Sequence, residues 1–145
     1  MSKRPFRVGR SSAGLGLFAT KPFKKGEFVV RYTGRRVTDA ESAKREARGA
    51  RYMFEINSHW AIDGSSRRNL ARYVNHSCRP NAEAVERRKH RIVYVARRRI
   101  KPEEEITVDY GKEYFDGFIK QKGCRCAKCA EKRRAKRKAR KPKRR

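Results

Sequence analysis

The four cysteines of the chain have the residue type and the spacing of a metal site. Three of them follow the spacing CxCxxC, namely Cys124, Cys126 and Cys129. The fourth, Cys78, lies forty-six residues upstream. In a reducing compartment cysteines serve as metal ligands more often than as disulfides, and Zn²⁺ takes four ligands in a tetrahedron. One structural zinc site is therefore predicted to hold the C-terminal segment against the stretch around Cys78. A closed zinc knuckle with His76 or His90 as its fourth ligand is the alternative.

The stretch from Arg72 to Asn81 concentrates polar side chains in a way that indicates a site. Its side chains able to form hydrogen bonds or bind a metal include Asn75, His76, Ser77, Cys78 and Asn81. An ordinary helix or strand would instead repeat apolar residues with a period of 3.6 or 2. The adjacent residues Asn75 and His76 are costly to bury without specific partners, which favours a binding role. A structural histidine with satisfied hydrogen bonds is the alternative for His76.

Two further motifs complete the candidate chemistry. In the stretch Glu104–Gly111, the residues Ile106, Val108 and Tyr110 alternate with more polar ones, which predicts a strand that ends at the glycine. The motif Gly14-Leu15-Gly16 lacks the third glycine and the strand-to-helix setting of a dinucleotide fingerprint. By itself it therefore indicates only a tight turn.

In their order along the chain, these four motifs resemble those of the SET-domain protein lysine methyltransferases, over roughly residues 5 to 130. The resemblance is closest to compact, stand-alone SET proteins with a C-terminal CxCxxC post-SET zinc segment, such as those of bacteria and viruses. It implies a mostly β fold of several small sheets, with a pseudoknot-like threading of the C-terminal part and one or two short helices. It also implies a SET domain at residues 5–112 and a post-SET zinc segment at residues 113–130.

The resemblance further implies an S-adenosylmethionine-dependent transfer of methyl groups to lysine. The residues that would bind this cofactor are Ala13, Gly14, Leu15, Gly16, Tyr52, Asn75, His76 and Arg125. An aromatic channel of Tyr32, Phe54 and Tyr110 would hold the lysine, and the Tyr110 hydroxyl would orient its amine. Desolvation in the channel and the sulfonium charge both lower the pKa of the amine, which attacks only when neutral. Without the resemblance, Phe54 and Tyr52 would be assigned to core packing and Tyr110 to a strand end in water.

Two positions bear on how many methyl groups are added. In the family, the residue before the Asp-Tyr pair, or one in the strand after the Asn-His-Ser turn, is often a tyrosine whose hydroxyl holds a water. That water leaves no room for an amine that is already methylated. This chain has Val108 and Ala84 there, and neither side chain forms hydrogen bonds. Di- or trimethyllysine is the expected product, unless Tyr114 or Phe115 fills the space.

Short strands joined by turns are predicted to position these residues. The predicted strands and hairpins lie at residues 5–8, 15–20, 27–33, 52–63 and 81–99, where β-branched and aromatic residues alternate with turn residues. Thr38 and Glu41 have the spacing of a capping box, which predicts a helix of about three turns that ends at Gly49. A second short helix is predicted at residues 112–119 from the spacing of its aromatic residues.

The chain is strongly basic, with 42 Lys and Arg residues, 15 Asp and Glu residues and a net charge of +27. Its last fifteen residues carry +10, which leaves +17 on residues 1–130. The basic residues of this tail are Lys132, Arg133, Arg134, Lys136, Arg137, Lys138, Arg140, Lys141, Lys143, Arg144 and Arg145. Both parts are expected to attract nucleic acid, the commonest polyanion. From Glu131 onward there is no large apolar residue, so the tail is expected to be disordered without a partner.

Two classes of function fit these features. The first is a methyltransferase that acts on a histone-like, ribosomal or other nucleic-acid-associated protein. The second is a non-enzymatic basic zinc protein that coats DNA or RNA on a SET-like scaffold. The enzyme is favoured because a coat protein has no use for the aromatic and cofactor motifs together. Since the sequence has neither a membrane-spanning apolar run nor a signal peptide, we expect an intracellular location. This would be the cytoplasm or nucleoid of a bacterium, or the nucleus and chromatin of a eukaryote.

Overall fold

The computed structural model describes residues 4–111, 119 and 123–140 of the 145-residue chain. Over these ranges the fold is mostly β, as predicted, and its strands form three small sheets. No helix among these residues is long and apolar enough to cross a membrane. The three sheets position the candidate residues in different ways.

The first sheet joins the glycine motif to the two polar motifs. Its strands in spatial order are β1 (Phe6–Ser11), β2 (Gly14–Ala19), β10 (Glu105–Val108) and β7 (Asn75–His76). Strand β10 pairs antiparallel with β2 and parallel with β7, where Thr107 lies opposite Asn75 and Val108 opposite His76. A late strand is thus inserted between two earlier segments.

The second sheet has the order β3 (Phe28–Tyr32), β9 (Arg91–Ala96) and β8 (Ala82–Arg87). The β9 strand lies in the centre and is buried from Ile92 to Ala96, as a continuous apolar run predicts for a strand covered on both faces. The hairpin predicted at residues 81–99 corresponds to β8 and β9, which are joined by a 3-10 turn at Arg88–His90.

The third sheet has the order β4 (Arg35–Thr38), β6 (Trp60–Asp63) and β5 (Met53–Glu55). The predicted hairpin at residues 52–63 is confirmed, but β4 was not predicted because it begins with two arginines and buries only Val37. The helix α1 (Asp39–Ala47) follows at once, and the Thr38 hydroxyl accepts a hydrogen bond from the Glu41 N–H at 3.1 Å, as the capping spacing predicts.

One apolar core among the described residues joins the first two sheets and also includes Ile62 of the third. Leu17 and Ile106 come from the first sheet and Val29 from the second, and all three are at most 2% exposed. Val74 follows a 3-10 helix at Leu70–Tyr73 and is 1% exposed. Burial of such side chains contributes about 25 cal/mol per Å² of apolar surface. Because Val74 is held in this way, the position of the Asn75-His76 pair that follows it in the chain is fixed.

The C-terminal tail differs from the expectation. Residues Ala127–Arg140 form a second helix, α2, so the expected disorder from Glu131 is wrong for residues 131–140. That expectation considered only burial, whereas Ala, Lys and Arg are strong helix formers. Arg133 also donates a hydrogen bond to the Cys124 carbonyl and ties the helix to the cysteine segment. Residues 141–145 and, except for Ile119, the helix predicted at residues 112–119 lie outside the described residues.

Candidate functional site

A cavity of about 890 Å³ lies between the β1–β2 turn, the Asn75-His76 pair and the cysteine segment. Six of the eight predicted cofactor residues line it: Ala13, Leu15, Tyr52, Asn75, His76 and Arg125. Gly14 and Gly16 are not among the lining residues. The volume falls in the usual range for small-molecule sites, about 300–1,000 Å³. The structure therefore assembles most of the predicted set around one ligand-sized space.

Gly14 and Gly16 are required for two different structural reasons. Gly14 has φ of +100°, a backbone conformation that glycine adopts without strain. At Gly16, a Cβ would lie 2.5 Å from the Glu105 carboxylate. Gly16 therefore leaves room for Glu105 rather than for a ligand.

Glu105 connects three strands at the edge of this cavity. Its Oε1 accepts a hydrogen bond from the Ser11 hydroxyl at 2.8 Å, and its Oε2 accepts one from the Asn75 amide, also at 2.8 Å. The Asn75 amide nitrogen also donates to the Leu15 carbonyl at 2.9 Å. The orientation of Asn75 is thus fixed by β2 and β10. Sequence reasoning missed this role of Glu105, because its partners Ser11 and Asn75 lie far from it in sequence.

Arg125 joins the cysteine segment to the β1–β2 turn. The Ser12 hydroxyl donates to the Arg125 carbonyl at 3.3 Å, and the Arg125 guanidinium donates to the Ser12 carbonyl at 3.5 Å. Together these bonds close one side of the larger cavity.

A second, smaller cavity of about 140 Å³ adjoins the first. It is lined by Tyr32, Phe54 and Tyr110, the three residues predicted for the lysine channel, and by Val108 and Ala84. The rings of Tyr32 and Phe54 lie 5.1 Å apart. The Tyr32 hydroxyl donates to the Tyr52 carbonyl at 2.6 Å, which holds its ring in place. The three residues predicted for the channel thus line one narrow cavity.

The two cavities share a wall. Arg51, Tyr52, Arg72 and Tyr110 line both. The Tyr110 hydroxyl donates to the Val74 carbonyl, and the Arg72 guanidinium lies 4.3 Å from the centre of the Tyr52 ring. Within the described part of the chain, the buried Nε of Arg72 has no hydrogen-bond partner. Because an unsatisfied buried donor is costly, this atom favours a polar ligand at the wall.

The four cysteines form the predicted cluster. Their sulfur atoms lie within 4.8 Å of one another, with Cys78 at 4.0 Å from Cys124 and 3.7 Å from Cys129. Sulfur ligands at the usual Zn–S distance of about 2.3 Å in a tetrahedron are separated by about 3.8 Å. The cluster therefore has the dimensions of a four-thiolate zinc site. The alternative ligand His90 instead pairs with Glu86 at 2.7 Å.

The thiols of the cluster lie in different electrostatic surroundings. Burial raises the pKa of Cys78, and it raises the pKa of Cys124 to about 11. For Cys126, burial is outweighed by backbone hydrogen bonds from Cys78 and Cys129, which lower its pKa to about 6. Four thiolates at this separation repel one another, and a divalent cation would offset that repulsion. Nε2 of His76 lies 3.4 Å from the Cys78 sulfur, beside the cluster.

The helix α2 carries the basic residues predicted to contact nucleic acid. Those that the structure describes are Lys132, Arg133, Arg134, Lys136, Arg137, Lys138 and Arg140, and all of them are exposed. Lys141, Lys143, Arg144 and Arg145 lie beyond the described range. At 1.5 Å per residue the helix presents these cations along about 12 Å.

Small sheets that enclose two adjoining cavities, with a thiol cluster at one edge, define a SET-domain fold. The family described as "SET domain" matches residues 14–111, well over half of the chain. The chain therefore belongs to the SET domain family.

Relatives with similar sequences carry names of histone enzymes. "Histone-lysine N-methyltransferase, H3 lysine-4 specific" of Neurospora crassa is 36% identical over 139 residues, which are 88% of this chain and 10% of that protein. "Histone-lysine N-methyltransferase mes-2" of Caenorhabditis elegans is 39% identical over 118 residues, which are 76% of this chain and 15% of that protein.

A similar solved structure supports the same fold. The crystal structure of the Chaetomium thermophilum polycomb repressive complex 2 contains a chain with a TM-score of 0.69 and 29% identity, covering 77% of this chain and 16% of its own. This chain thus spans between 10% and 16% of the length of these three proteins.

Proposed function

We propose that this SET-domain chain is a protein-lysine N-methyltransferase that uses S-adenosylmethionine. The observation that carries the proposal is the shared wall between the two cavities. One cavity has the size of a nucleoside-like ligand and the other has the width of an extended side chain, and Tyr110 borders both. Two reactants that enter from opposite sides would meet at this wall, which is the arrangement that an in-line transfer requires.

The larger cavity would hold the cofactor through residues that are already positioned. Asn75 is fixed by Glu105 and by the Leu15 carbonyl, and Arg72 offers a buried N–H that suits a carboxylate. When bound, S-adenosylmethionine supplies a methyl group whose bond to sulfur breaks as a bond to the lysine nitrogen forms. The positive charge passes from sulfur to nitrogen, and no proton has to move in that step.

The smaller cavity would bind the lysine and keep its amine neutral. The rings of Tyr32 and Phe54 exclude water from the alkyl chain, and desolvation disfavours the charged ammonium. The sulfonium charge of a bound cofactor would also disfavour a second positive charge on the amine. Because the Tyr110 hydroxyl donates to the Val74 carbonyl, its oxygen acts toward the amine as an acceptor and orients the nitrogen.

The four cysteines would bind a structural Zn²⁺, with no open position for a reactant. The cluster connects the start of α2 to the turn that follows β7. Zinc would thereby hold Arg125 and its neighbours over the larger cavity. The post-SET role of residues 113–130 belongs to this proposal.

We infer that the substrate is a histone-like protein on nucleic acid, and that the site of action is chromatin. The relatives named as histone enzymes support this assignment, and they come from eukaryotes, which disfavours the bacterial alternative. The exposed basic residues of α2 would bind the phosphate backbone of the nucleic acid that carries such a substrate. This contact would raise the local concentration of the enzyme at its substrate.

Equilibrium binding tests the cofactor site. Calorimetric titration of S-adenosylmethionine into the purified, zinc-loaded chain should give saturable binding. Asn75→Ala should weaken it at least about tenfold, because the cofactor loses an oriented amide, while Arg88→Ala in the exposed β8–β9 turn should leave it unchanged. An absence of saturable binding would instead favour the non-enzymatic basic zinc protein.

A further inference from the structure

The wall that the two cavities share carries positive charge on one side. Arg51 lines both cavities and is exposed. Arg72 lines both as well, and its guanidinium stacks on the ring of Tyr52, the neighbour of Arg51 in the chain. The same guanidinium donates a hydrogen bond to the Ser65 carbonyl. Arg72 therefore joins the wall to the loop that follows β6.

The loop after β6 adds two further cations, Arg67 and Arg68, which are both exposed. Its shape is set by Ser66, whose hydroxyl accepts a hydrogen bond from the Arg68 N–H at 3.2 Å and whose carbonyl accepts one from the Asn69 N–H at 3.0 Å. Asn69 is 1% exposed, and its side-chain amide donates to the Gly64 carbonyl at 3.1 Å. The loop is thus fixed to the core, and it holds its two arginines near the shared wall.

The exposed arginines of this region have no acidic partner in the part of the chain that the structure describes. Arg51, Arg67 and Arg68 take part in none of its ion pairs. Asp63 lies at the end of β6, directly before the loop, but its carboxylate pairs with Arg45. The three guanidinium groups are therefore available to an anionic partner from outside the chain.

The charge at the smaller cavity is positive overall. Asp109 is the only carboxylate among the described residues that line this cavity. Its Oδ1 accepts a hydrogen bond from the Gly111 N–H at 2.8 Å, and its side chain is 58% exposed, so that water screens much of its charge. Four arginines and one aspartate leave a charge of +3 on a group of residues that we call the arginine rim: Arg51, Arg67, Arg68, Arg72 and Asp109.

We propose that the arginine rim selects lysines that have acidic residues beside them in the substrate sequence. This inference rests on the proposed methyltransferase function and names the class of substrate that the smaller cavity takes. A lysine that enters this cavity brings its flanking residues to the rim. There a carboxylate forms charge-assisted hydrogen bonds with a guanidinium, whereas a flanking Arg or Lys meets like charge. Lysines in acidic segments of histone-like proteins are thus favoured over lysines in their strongly basic tails.

The test uses a peptide that contains a single lysine in a host of Gly, Ser and Ala, flanked on each side by Glu, by Gln or by Arg. Methyl transfer is measured with S-adenosylmethionine that carries a labelled methyl group. The value of kcat/KM should be about fivefold or more higher for the Glu-flanked than for the Arg-flanked peptide, because an attraction at exposed groups is replaced by a repulsion of similar size. The Gln-flanked peptide should lie between them, and high salt should reduce the difference.

Arg51→Glu reverses the charge at the shared wall. It should lower the ratio of kcat/KM on the Glu-flanked peptide to that on the Arg-flanked peptide by about fivefold or more. Arg88→Glu makes the same change of charge in the exposed β8–β9 turn and should leave the ratio unchanged. A ratio that is the same in Arg51→Glu as in the unaltered chain, with thermal unfolding showing that both are folded, would overturn the proposal.

Fluorescence anisotropy with labelled forms of the same peptides gives a second test that needs no turnover. The unaltered chain and Arg88→Glu should bind the Glu-flanked peptide more tightly than the Arg-flanked one, and Arg51→Glu should reduce this difference. If binding follows this pattern but no peptide is methylated, the selectivity of the rim stands and the proposed function is refuted. If Arg51→Glu leaves peptide binding unchanged and instead weakens the binding of a DNA duplex, the rim contacts nucleic acid and the inference is wrong.

Discussion

The backbone N–H of Tyr110 donates a hydrogen bond to Nδ1 of His76 at 3.0 Å. This bond requires Nδ1 to be an acceptor, so the proton of the neutral ring lies on Nε2, which faces the Cys78 sulfur at 3.4 Å. Burial lowers the pKa of His76, although the nearby Asp109 opposes the shift, and this favours the neutral ring. His76 therefore links the thiol cluster to the segment that carries Tyr110.

Tyr110→Phe should separate binding from chemistry. Loss of the hydroxyl removes the group that orients the amine, so we expect turnover to fall by about two orders of magnitude or more. Folding should lose about 1 kcal/mol, since the hydrogen bond to the Val74 carbonyl is lost. Single-turnover kinetics and calorimetry would measure the two effects separately. If the variant retains full turnover, Tyr110 is not the residue that orients the amine.

Removal of zinc should abolish cofactor binding together with the order of the C-terminal segment. Cys78→Ser breaks the link between the turn after β7 and α2, so zinc content and affinity for S-adenosylmethionine should both fall. Elemental analysis and calorimetry on one preparation would test this. His90→Asn serves as the control and should change neither quantity, because His90 pairs with Glu86. Unchanged zinc content in Cys78→Ser would refute the four-cysteine site.

Glu105→Gln should weaken the cofactor site, because Glu105 holds Asn75 in place. The glutamine oxygen can still accept from Asn75, but its NH2 then faces Ser11, whose hydroxyl has to change from donor to acceptor, and both charge-assisted bonds become weaker neutral ones. We expect a loss of about 1–3 kcal/mol in the free energy of unfolding, together with weaker binding of S-adenosylmethionine. Chemical denaturation measures the first effect.

The matched control is Glu103→Gln, two residues away. Its partner is Arg7, and the two side chains are 64% and 48% exposed. An exposed ion pair of this kind contributes about 0.2–1 kcal/mol. Equal losses in Glu103→Gln and Glu105→Gln would mean that Glu105 has no special role in positioning.

Neutralising the far part of α2 should reduce activity on nucleosomes more than activity on a free peptide. The substitutions Lys136→Gln, Arg137→Gln, Lys138→Gln and Arg140→Gln keep good helix formers and spare Arg133, which bonds to the Cys124 carbonyl. Fewer phosphate contacts should also flatten the salt dependence of nucleosome binding. Rates on both substrates at several salt concentrations would show the difference.

An equal loss of charge elsewhere controls for net charge. Arg88 and Lys89 lie in the exposed β8–β9 turn, and Arg87 and Arg91 flank it at the strand ends. Substitution of these four residues by glutamine should have a smaller effect on nucleosomes. If the two sets of substitutions act equally, the effect belongs to the overall charge and not to α2.

Short-range patterns and the family resemblance were enough to predict which segments meet. Alternation in residues 104–111, the capping spacing at Thr38 and the cysteine spacing each have a local physical cause, and the structure confirms the strand, the helix and the cluster. The residues that were missed act through contacts distant in sequence. Glu105 meets Ser11 across ninety-four positions, and Tyr94, which also lines the smaller cavity, comes from β9, the strand between β3 and β8. Neither contact leaves a local pattern.

The most direct test of the central claim is transfer of a labelled methyl group. The purified, zinc-loaded chain is incubated with S-adenosylmethionine carrying a deuterated methyl group and with recombinant nucleosomes, and the histone lysines are analysed by mass spectrometry. We predict labelled methyllysine with the unaltered chain and almost none with Tyr110→Phe. Saturable cofactor binding without label on any lysine, or equal label from both proteins, would contradict the assignment of the two cavities.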